Sequence, residues 1–130
     1  MEYHLMDANL YNGLCLAYIG DAIYEIYARE YALSLGLTKV NDLHKKVTCY
    51  TSATAQSLVV EKLLKEDILT EEELGIFKRG RNSHVHTKRK HVDLTNYLNA
   101  TGLEALIGYL YLKKDETRLK ELISISFENN

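Results

Sequence analysis

The sequence predicts an all-α protein, and three observations lead to this fold class. Proline is absent from the 130 residues, so the commonest breaker of helices is missing. Apolar residues recur at intervals of three and four, and no segment shows the sustained alternation typical of β-strands. Two segments, residues 14–28 and 103–112, are almost wholly apolar and are predicted to be buried helices. We expect one domain over residues 1–130, with six or seven helices.

The first half of the chain contains three predicted helices. The first begins near Leu10, where Asn9 can act as its N-cap, and ends before Gly36, a residue common at helix C-termini. The second spans residues 42–50 and is opened by Thr38 or Asn41. The third spans residues 53–65, and the hydroxyl of the preceding serine can cap its first turn.

The second half begins with a capping-box sequence, Thr-Glu-Glu-Glu at residues 70–73, which predicts the start of a fourth helix. Residues 81–93 have few apolar positions and no helical period, so we expect a loop there. Helical spacing returns near Leu94 and continues through the second apolar segment. A last helix is predicted for residues 116–127.

Composition excludes several classes of protein. A net charge of −2 does not indicate that the chain as a whole binds a polyanion. Cys15, expected in the core, and Cys49 form neither a zinc-binding spacing nor a disulfide framework, so we expect a reducing, cytoplasmic setting. The N-terminal residues do not resemble a signal peptide, and no apolar run is long enough for a membrane span.

Two acidic residues lie within the apolar segments. A carboxylate in a buried helix must be neutral, paired with a cation or bound to a metal, and Asp21 is in that position. Glu104 is the lone acid of the second segment, and packing of the two helices would bring it near Asp21. Paired carboxylates suit Mg²⁺ or Mn²⁺. Glu25 shares a helix face with Asp21, but we expect it to be solvated or in a salt bridge.

The residues alone leave structural alternatives open for both acids. Asp21 could cap a helix after Gly20 or belong to a buried ion pair. Glu104 ends a second capping-box sequence that Thr101 opens, so it could mark the start of a helix.

A basic segment covers residues 78–91 and contains six Lys or Arg and three His, with no acid. Such a segment can lie along the phosphates of a nucleic acid, although many charge runs are simply solvated. The histidines at 84 and 86 are weak evidence for a metal site in these basic surroundings. The candidate RNA-binding residues are Lys78, Arg79, Arg81, Asn82, Lys88, Arg89 and Lys90.

The motifs Tyr-Ile-Gly-Asp-Ala at residues 18–22 and Glu-Ala-Leu-Ile-Gly at residues 104–108 resemble the two signatures of the ribonuclease III catalytic domain. The blocks 16–25, 77–82 and 104–112 are similar to the Mini-ribonuclease III branch, which lacks a double-stranded-RNA-binding domain. The resemblance implies a homodimeric all-α endonuclease that cleaves double-stranded RNA, most specifically precursor 23S (large-subunit) ribosomal RNA. It implies Mg²⁺, for which Mn²⁺ can substitute, as the cofactor.

The resemblance also implies roles for individual residues. Asp21 and Glu104 match the catalytic metal ligands, and Tyr18 matches an aromatic residue of the dimer interface. Two further acids of the family pattern are replaced here by Ala17 and Thr101. The expected partners are double-stranded RNA and a second copy of the chain, with a possible ribosomal-protein partner and no membrane association. Because two acids are replaced, a non-catalytic RNA-binding dimer acting in ribosome assembly is the competing hypothesis.

Overall fold

The computed structural model describes residues 1–83 and 91–128, with the side chains of residues 91–93 left out. All regular structure in these ranges is helical, which confirms the predicted all-α class. A short 3-10 turn at Ala8–Leu10 comes first. Six helices follow: α1 (Gly13–Ser34), α2 (Val40–Thr51), α3 (Ala53–Lys65), α4 (Glu71–Arg81), α5 (His91–Lys113) and α6 (Glu116–Glu128).

Local hydrogen bonds explain most of the helix starts. The Ser52 side chain accepts a hydrogen bond from the Ala55 N–H at the start of α3, as predicted. The predicted capping box of α4 is also present, because the Thr70 hydroxyl accepts from the Glu73 N–H and Glu73 accepts from the Thr70 N–H. Acids in the first turn of α4 and basic residues in its last turn suit the helix dipole.

Three predicted boundaries were wrong. The N-cap of α1 is Asn12, which accepts from the Cys15 N–H, whereas Asn9 lies in the 3-10 turn. Helix α2 follows Lys39 and has no side-chain cap from either predicted residue. Helix α5 begins at residue 91, three residues before the predicted position. Residues 84–90 of the predicted loop lie outside the described part of the chain.

Helix α5 lies at the centre of the fold and packs against α1, α3, α4 and α6. Its apolar segment is almost entirely buried, as predicted. The fully inaccessible side chains of this segment are Leu103, Ala105, Leu106 and Ile107. Burial of this much apolar surface is the main stabilising contribution available to a chain of this size.

Helices α1 and α5 cross at two glycines. A Cβ atom added to Gly20 would lie 1.7 Å from the backbone oxygen of Glu104. A Cβ atom added to Gly108 would lie 2.0 Å from the backbone oxygen of Leu16. The two backbones are therefore in direct contact, at a distance that no residue with a side chain permits.

The prediction that residues 14–28 are buried on all sides was wrong. One face of α1, including Leu16, Tyr24 and Ala28, is buried in the core. The opposite face is apolar but accessible: Tyr18 is 83% exposed and Ile26 is 52% exposed. Cys15, expected in the core, is also exposed. Hydrophobic composition does not distinguish a core face from an apolar surface.

Across residues 1–83 and 91–128, no helix combines the length and the apolar character that crossing a bilayer requires.

Replacing Gly20 with alanine should destabilise the protein because the new methyl group meets backbone rather than a movable side chain. We expect the free energy of unfolding to fall by about 2 kcal/mol or more, within or above the usual range for overpacking. Gly75→Ala is the matched control: that position lies inside α4, with nothing within 4 Å of an added Cβ. The free energy of unfolding of Gly75→Ala should rise by up to about 1 kcal/mol, because alanine has a higher helix propensity than glycine. Thermal unfolding of both variants measures this difference. Equal unfolding midpoints for Gly20→Ala and Gly75→Ala would contradict the close backbone contact between α1 and α5.

Candidate active site

The α1–α5 crossing places two acidic side chains together. Asp21 directly follows Gly20, and Glu104 is the residue whose backbone oxygen Gly20 contacts. The carboxyl groups of Asp21 and Glu104 lie close enough for Asp21 to raise the pKa of Glu104 through hydrogen bonding and charge. Asp21 is exposed and Glu104 is half-buried, so the pair lies at the edge of the core with access to solvent.

The structural alternatives for these acids do not hold. Asp21 lies well inside α1 and cannot be its N-cap, and no Lys, Arg or His forms an ion pair with it among the described residues. Glu104 lies in the middle of α5. The Thr101 hydroxyl donates to the Tyr97 carbonyl one turn earlier, at 3.0 Å, so it does not open a capping box.

Burial and the neighbouring acid strongly perturb Glu104. Desolvation is the largest cause, and the hydrogen bond and negative charge of Asp21 add to it, so that the pKa of Glu104 rises to about 8. Gln56, a side chain of α3 that is only 2% exposed, hydrogen-bonds to Glu104 and opposes the rise. In the absence of a cation, this carboxyl group therefore keeps its proton at neutral pH.

The donor set fits a hard divalent cation. Two facing carboxyl groups supply oxygen ligands of the kind that Mg²⁺ and Mn²⁺ prefer, and a cation between them would remove their repulsion. In the part of the chain that the structure describes, no cluster of three or more His, Cys, Asp or Glu is found. Ala17 and Thr101 are buried near the crossing and add no carboxylate. Water would complete the coordination, as is usual for Mg²⁺.

Two polar residues near the acids were missed in the sequence. Gln56 occupies the buried stripe of α3 at helical spacing from Val59, Val60 and Leu63, so an amide within that apolar stripe was the available indication. Tyr24 is 1% exposed, and burial raises the pKa of its phenol above the ordinary value. The negative charge of Glu104 contributes to that rise.

Glu25 does not join the pair. It forms an exposed salt bridge with Arg29 one turn later, at 3.2 Å, which confirms the expectation of a salt-bridged surface acid. Tyr18 lies on the accessible apolar face of α1, one turn before Asp21.

The basic residues of α4 end close to the acid pair. Gly80 packs so closely on α5 that an added Cβ would lie 2.5 Å from the Cβ of Ala105, the neighbour of Glu104. Lys78 and Asn82 are exposed at this end of α4, and Asn82 is its C-cap. Arg81 is half-buried and donates from Nε to the Asn99 side chain at 2.9 Å.

Arg79 has a second role that its sequence position did not predict. One terminal nitrogen donates to the backbone oxygens of Asn9 and Tyr11, at 3.0 and 3.2 Å, and so fastens the segment before α1 to α4. The other predicted RNA-binding residues, Lys88, Arg89 and Lys90, lie outside the described residues, as do the histidines at 84 and 86.

Comparisons with known proteins cover both acidic residues. Residues 14–115 match the family described as Ribonuclease III domain. Mini-ribonuclease 3 of Enterococcus faecalis is 52% identical over 120 residues, covering 92% of this chain and 91% of that protein. Mini-ribonuclease 3 of Streptococcus pneumoniae is 45% identical over 120 residues, covering 92% and 94%. A crystal structure of a Fusobacterium nucleatum protein has a TM-score of 0.82 at 37% identity, covering 96% and 98% of the two chains.

The metal-free protein should lose stability as pH rises. Glu104 has an ordinary pKa near 4.5 when unfolded and about 8 when folded, so the native state binds more protons between these values. Stability is then full below pH 4.5 and falls towards pH 8, by an amount on the order of a few kcal/mol.

Denaturant unfolding in EDTA at several pH values checks this loss. The Glu104→Gln variant should remove the loss and be more stable than the parent at pH 8. Glu61→Gln, a change at an exposed acid of α3, is the control and should leave the slope unchanged. If the free energy of unfolding fell equally with pH in the parent and in Glu104→Gln, ionisation of Glu104 would not be the cause of the loss.

Proposed function

The chain belongs to the ribonuclease III family and is an endoribonuclease, and we propose that it cleaves duplex regions of precursor 23S ribosomal RNA with Mg²⁺ as cofactor. The observation that carries the proposal is the pairing of Asp21 and Glu104 at the α1–α5 crossing. Two opposed carboxyl groups at the solvent-accessible edge of a core are costly unless they bind a cation. Their position beside the basic end of α4 supports a polyanionic substrate.

The side chains at the acid pair have distinct parts in this proposal. Asp21 and Glu104 are the catalytic metal ligands, and Gln56 hydrogen-bonds to Glu104 from the buried side. When bound there, the ion supplies Lewis-acid stabilisation of the charge that develops on the phosphate. The reaction joins a water oxygen to phosphorus and breaks the bond to the 3′-oxygen, which leaves a 5′-phosphate and a 3′-hydroxyl. Mn²⁺ has similar ligand preferences and can replace Mg²⁺.

The basic residues hold the RNA backbone. Lys78 and Asn82 are exposed at the end of α4, and the Arg81 guanidinium is oriented there by its bond to Asn99. Lys88, Arg89 and Lys90 continue the basic sequence, and Arg79 retains donors besides those on the N-terminal segment. Duplex RNA is recognised mainly by its shape and its backbone, so we expect limited sequence selectivity from these contacts.

The accessible face of α1 supports a homodimer. Leu14, Tyr18, Ala22 and Ile26 are exposed at four-residue spacing and so lie along one side of the helix. A continuous apolar stripe of this kind is typical of an interface, and Tyr18 at 83% exposure is its most accessible aromatic residue. A second copy would give two acid pairs for the two strands of one duplex, in the cytoplasm, where precursor RNA is processed.

The competing hypothesis, a non-catalytic RNA-binding dimer acting in ribosome assembly, does not agree with membership of a family of endoribonucleases. Ala17 and Thr101 stand where the family pattern has acids, and both are buried without a carboxylate to offer. Retention of the Asp21–Glu104 pair favours the enzyme, because a protein that only binds RNA gains nothing from two repelling acids.

Asp21→Asn should abolish cleavage of duplex RNA while leaving folding and RNA binding intact. We expect a loss of more than about 100-fold, since changing residues that merely support metal ligands already costs about 10–100-fold. A gel assay with Mg²⁺ or EDTA, together with a binding titration, measures both properties. Glu25→Gln neutralises an acid one turn further along α1 and should cleave normally. Full activity of Asp21→Asn would contradict the proposed role of this carboxylate.

A further inference from the structure

Arg81 is the outer end of a hydrogen-bonded chain that crosses three helices. Its Nε donates to Oδ1 of Asn99 on α5, at 2.9 Å. The Asn99 Nδ2 in turn donates to the Ser57 hydroxyl on α3, at 3.0 Å. Ser57 is only 3% exposed, so the chain runs from a buried anchor to a half-buried cation.

Arg118 shows how the same protein holds an arginine for purely structural purposes. Its guanidinium contacts both carboxylate oxygens of Glu73, at 2.7 and 2.8 Å, and the Ile68 carbonyl at 2.8 Å. Glu121 accepts a further hydrogen bond at 3.1 Å. The charge of Arg118 is therefore matched by neighbouring acids, and its donors are directed into the protein.

Arg81 differs from Arg118 in both respects. Its acceptor is a neutral amide, and no carboxylate among the described side chains lies within ion-pair distance of it. A neutral acceptor at Nε fixes the plane of the guanidinium without cancelling its charge. The two Nη groups, for which the described residues provide no acceptor, can then present a fork of N–H donors to a phosphate.

The buried end of this chain adjoins the acid pair. Ser57 is the neighbour of Gln56, whose side chain hydrogen-bonds to Glu104. One turn of α3 therefore supports both the carboxyl group at the reacting end and the guanidinium at the binding end. A shared support keeps the guanidinium ordered near the acids before RNA arrives, so RNA does not have to order that side chain on binding.

We propose that Asn99, anchored by Ser57, is a positioning residue that presents the Arg81 guanidinium to a phosphate of the duplex RNA. This inference rests on the proposed function. Without the amide, Arg81 samples more rotamers, and RNA must order it on binding, which weakens affinity.

A double-mutant cycle tests the inference. The full-length parent, Asn99→Leu, Arg81→Ala and the double variant are titrated with a fluorescent duplex RNA in EDTA, at several salt concentrations. Asn99→Leu should weaken binding by about threefold to tenfold, as expected for one newly mobile side chain. In the Arg81→Ala background the same change should have no effect. Arg81→Ala should also reduce the slope of log K against log salt by about one phosphate contact.

Two controls separate positioning from folding. Asn41→Leu, an exposed asparagine of α2, should leave affinity unchanged. Ser57→Ala removes only the anchoring hydroxyl and should weaken binding in the same Arg81-dependent way, which covers the case in which Asn99→Leu does not fold. In cleavage assays with Mg²⁺, Asn99→Leu should raise KM and leave kcat near the parent value.

The outcomes distinguish this inference from the proposed function. Equal weakening by Asn99→Leu with and without Arg81 would overturn the positioning role. Unchanged affinity in every variant, with normal cleavage by the parent, would also overturn it while leaving the proposed function standing. A parent protein that does not bind duplex RNA would overturn both.

Discussion

The contact between the backbones of α1 and α5 is the constraint on which the rest of the structure depends. Gly20 and Gly108 permit this contact because any Cβ there would lie about 2 Å or less from a carbonyl oxygen of the other helix. The same contact determines the separation of Asp21 and Glu104, whose side chains leave the two helices at the crossing. The packing of the two helices and the geometry of the proposed catalytic pair therefore share one determinant, and a change at either glycine should affect both.

The acid pair opposes the stability that the crossing provides. Burial of Glu104 against Asp21 raises the pKa of Glu104 to about 8, so the metal-free fold carries an unfavourable interaction near neutral pH. Gln56 reduces that cost but does not remove it. An interaction that is unfavourable until a cation binds is expected of a metal site rather than of a structural one. With Ala17 and Thr101 in place of further acids, the proposed metal site has these two carboxyl groups as its only acidic ligands.

Local interactions were predictable from the sequence, and tertiary ones were only partly so. The all-α class, the α4 capping box and the burial of residues 103–112 follow from short-range chemistry and periodicity. The proximity of Asp21 and Glu104 followed from two apolar helices that had to pack together. Composition alone could not predict the accessible face of α1, because it is the same for a core and an interface, and only the match of Tyr18 to an interface residue of the family indicated a surface there. The Arg79 and Asn99 contacts join residues far apart in sequence, and no local pattern marks them.

Anomalous X-ray scattering from crystals grown with Mn²⁺ tests most directly whether Asp21 and Glu104 bind a metal ion. We predict a Mn²⁺ ion between the carboxylates of Asp21 and Glu104, with oxygen ligands slightly beyond the Mg²⁺ distance of about 2.0–2.1 Å. The Asp21→Asn crystal should lose this ion while the α1–α5 crossing is unchanged. The protein could cleave RNA at millimolar Mn²⁺ while crystals at the same concentration show no ion between Asp21 and Glu104. That result would contradict their role as metal ligands.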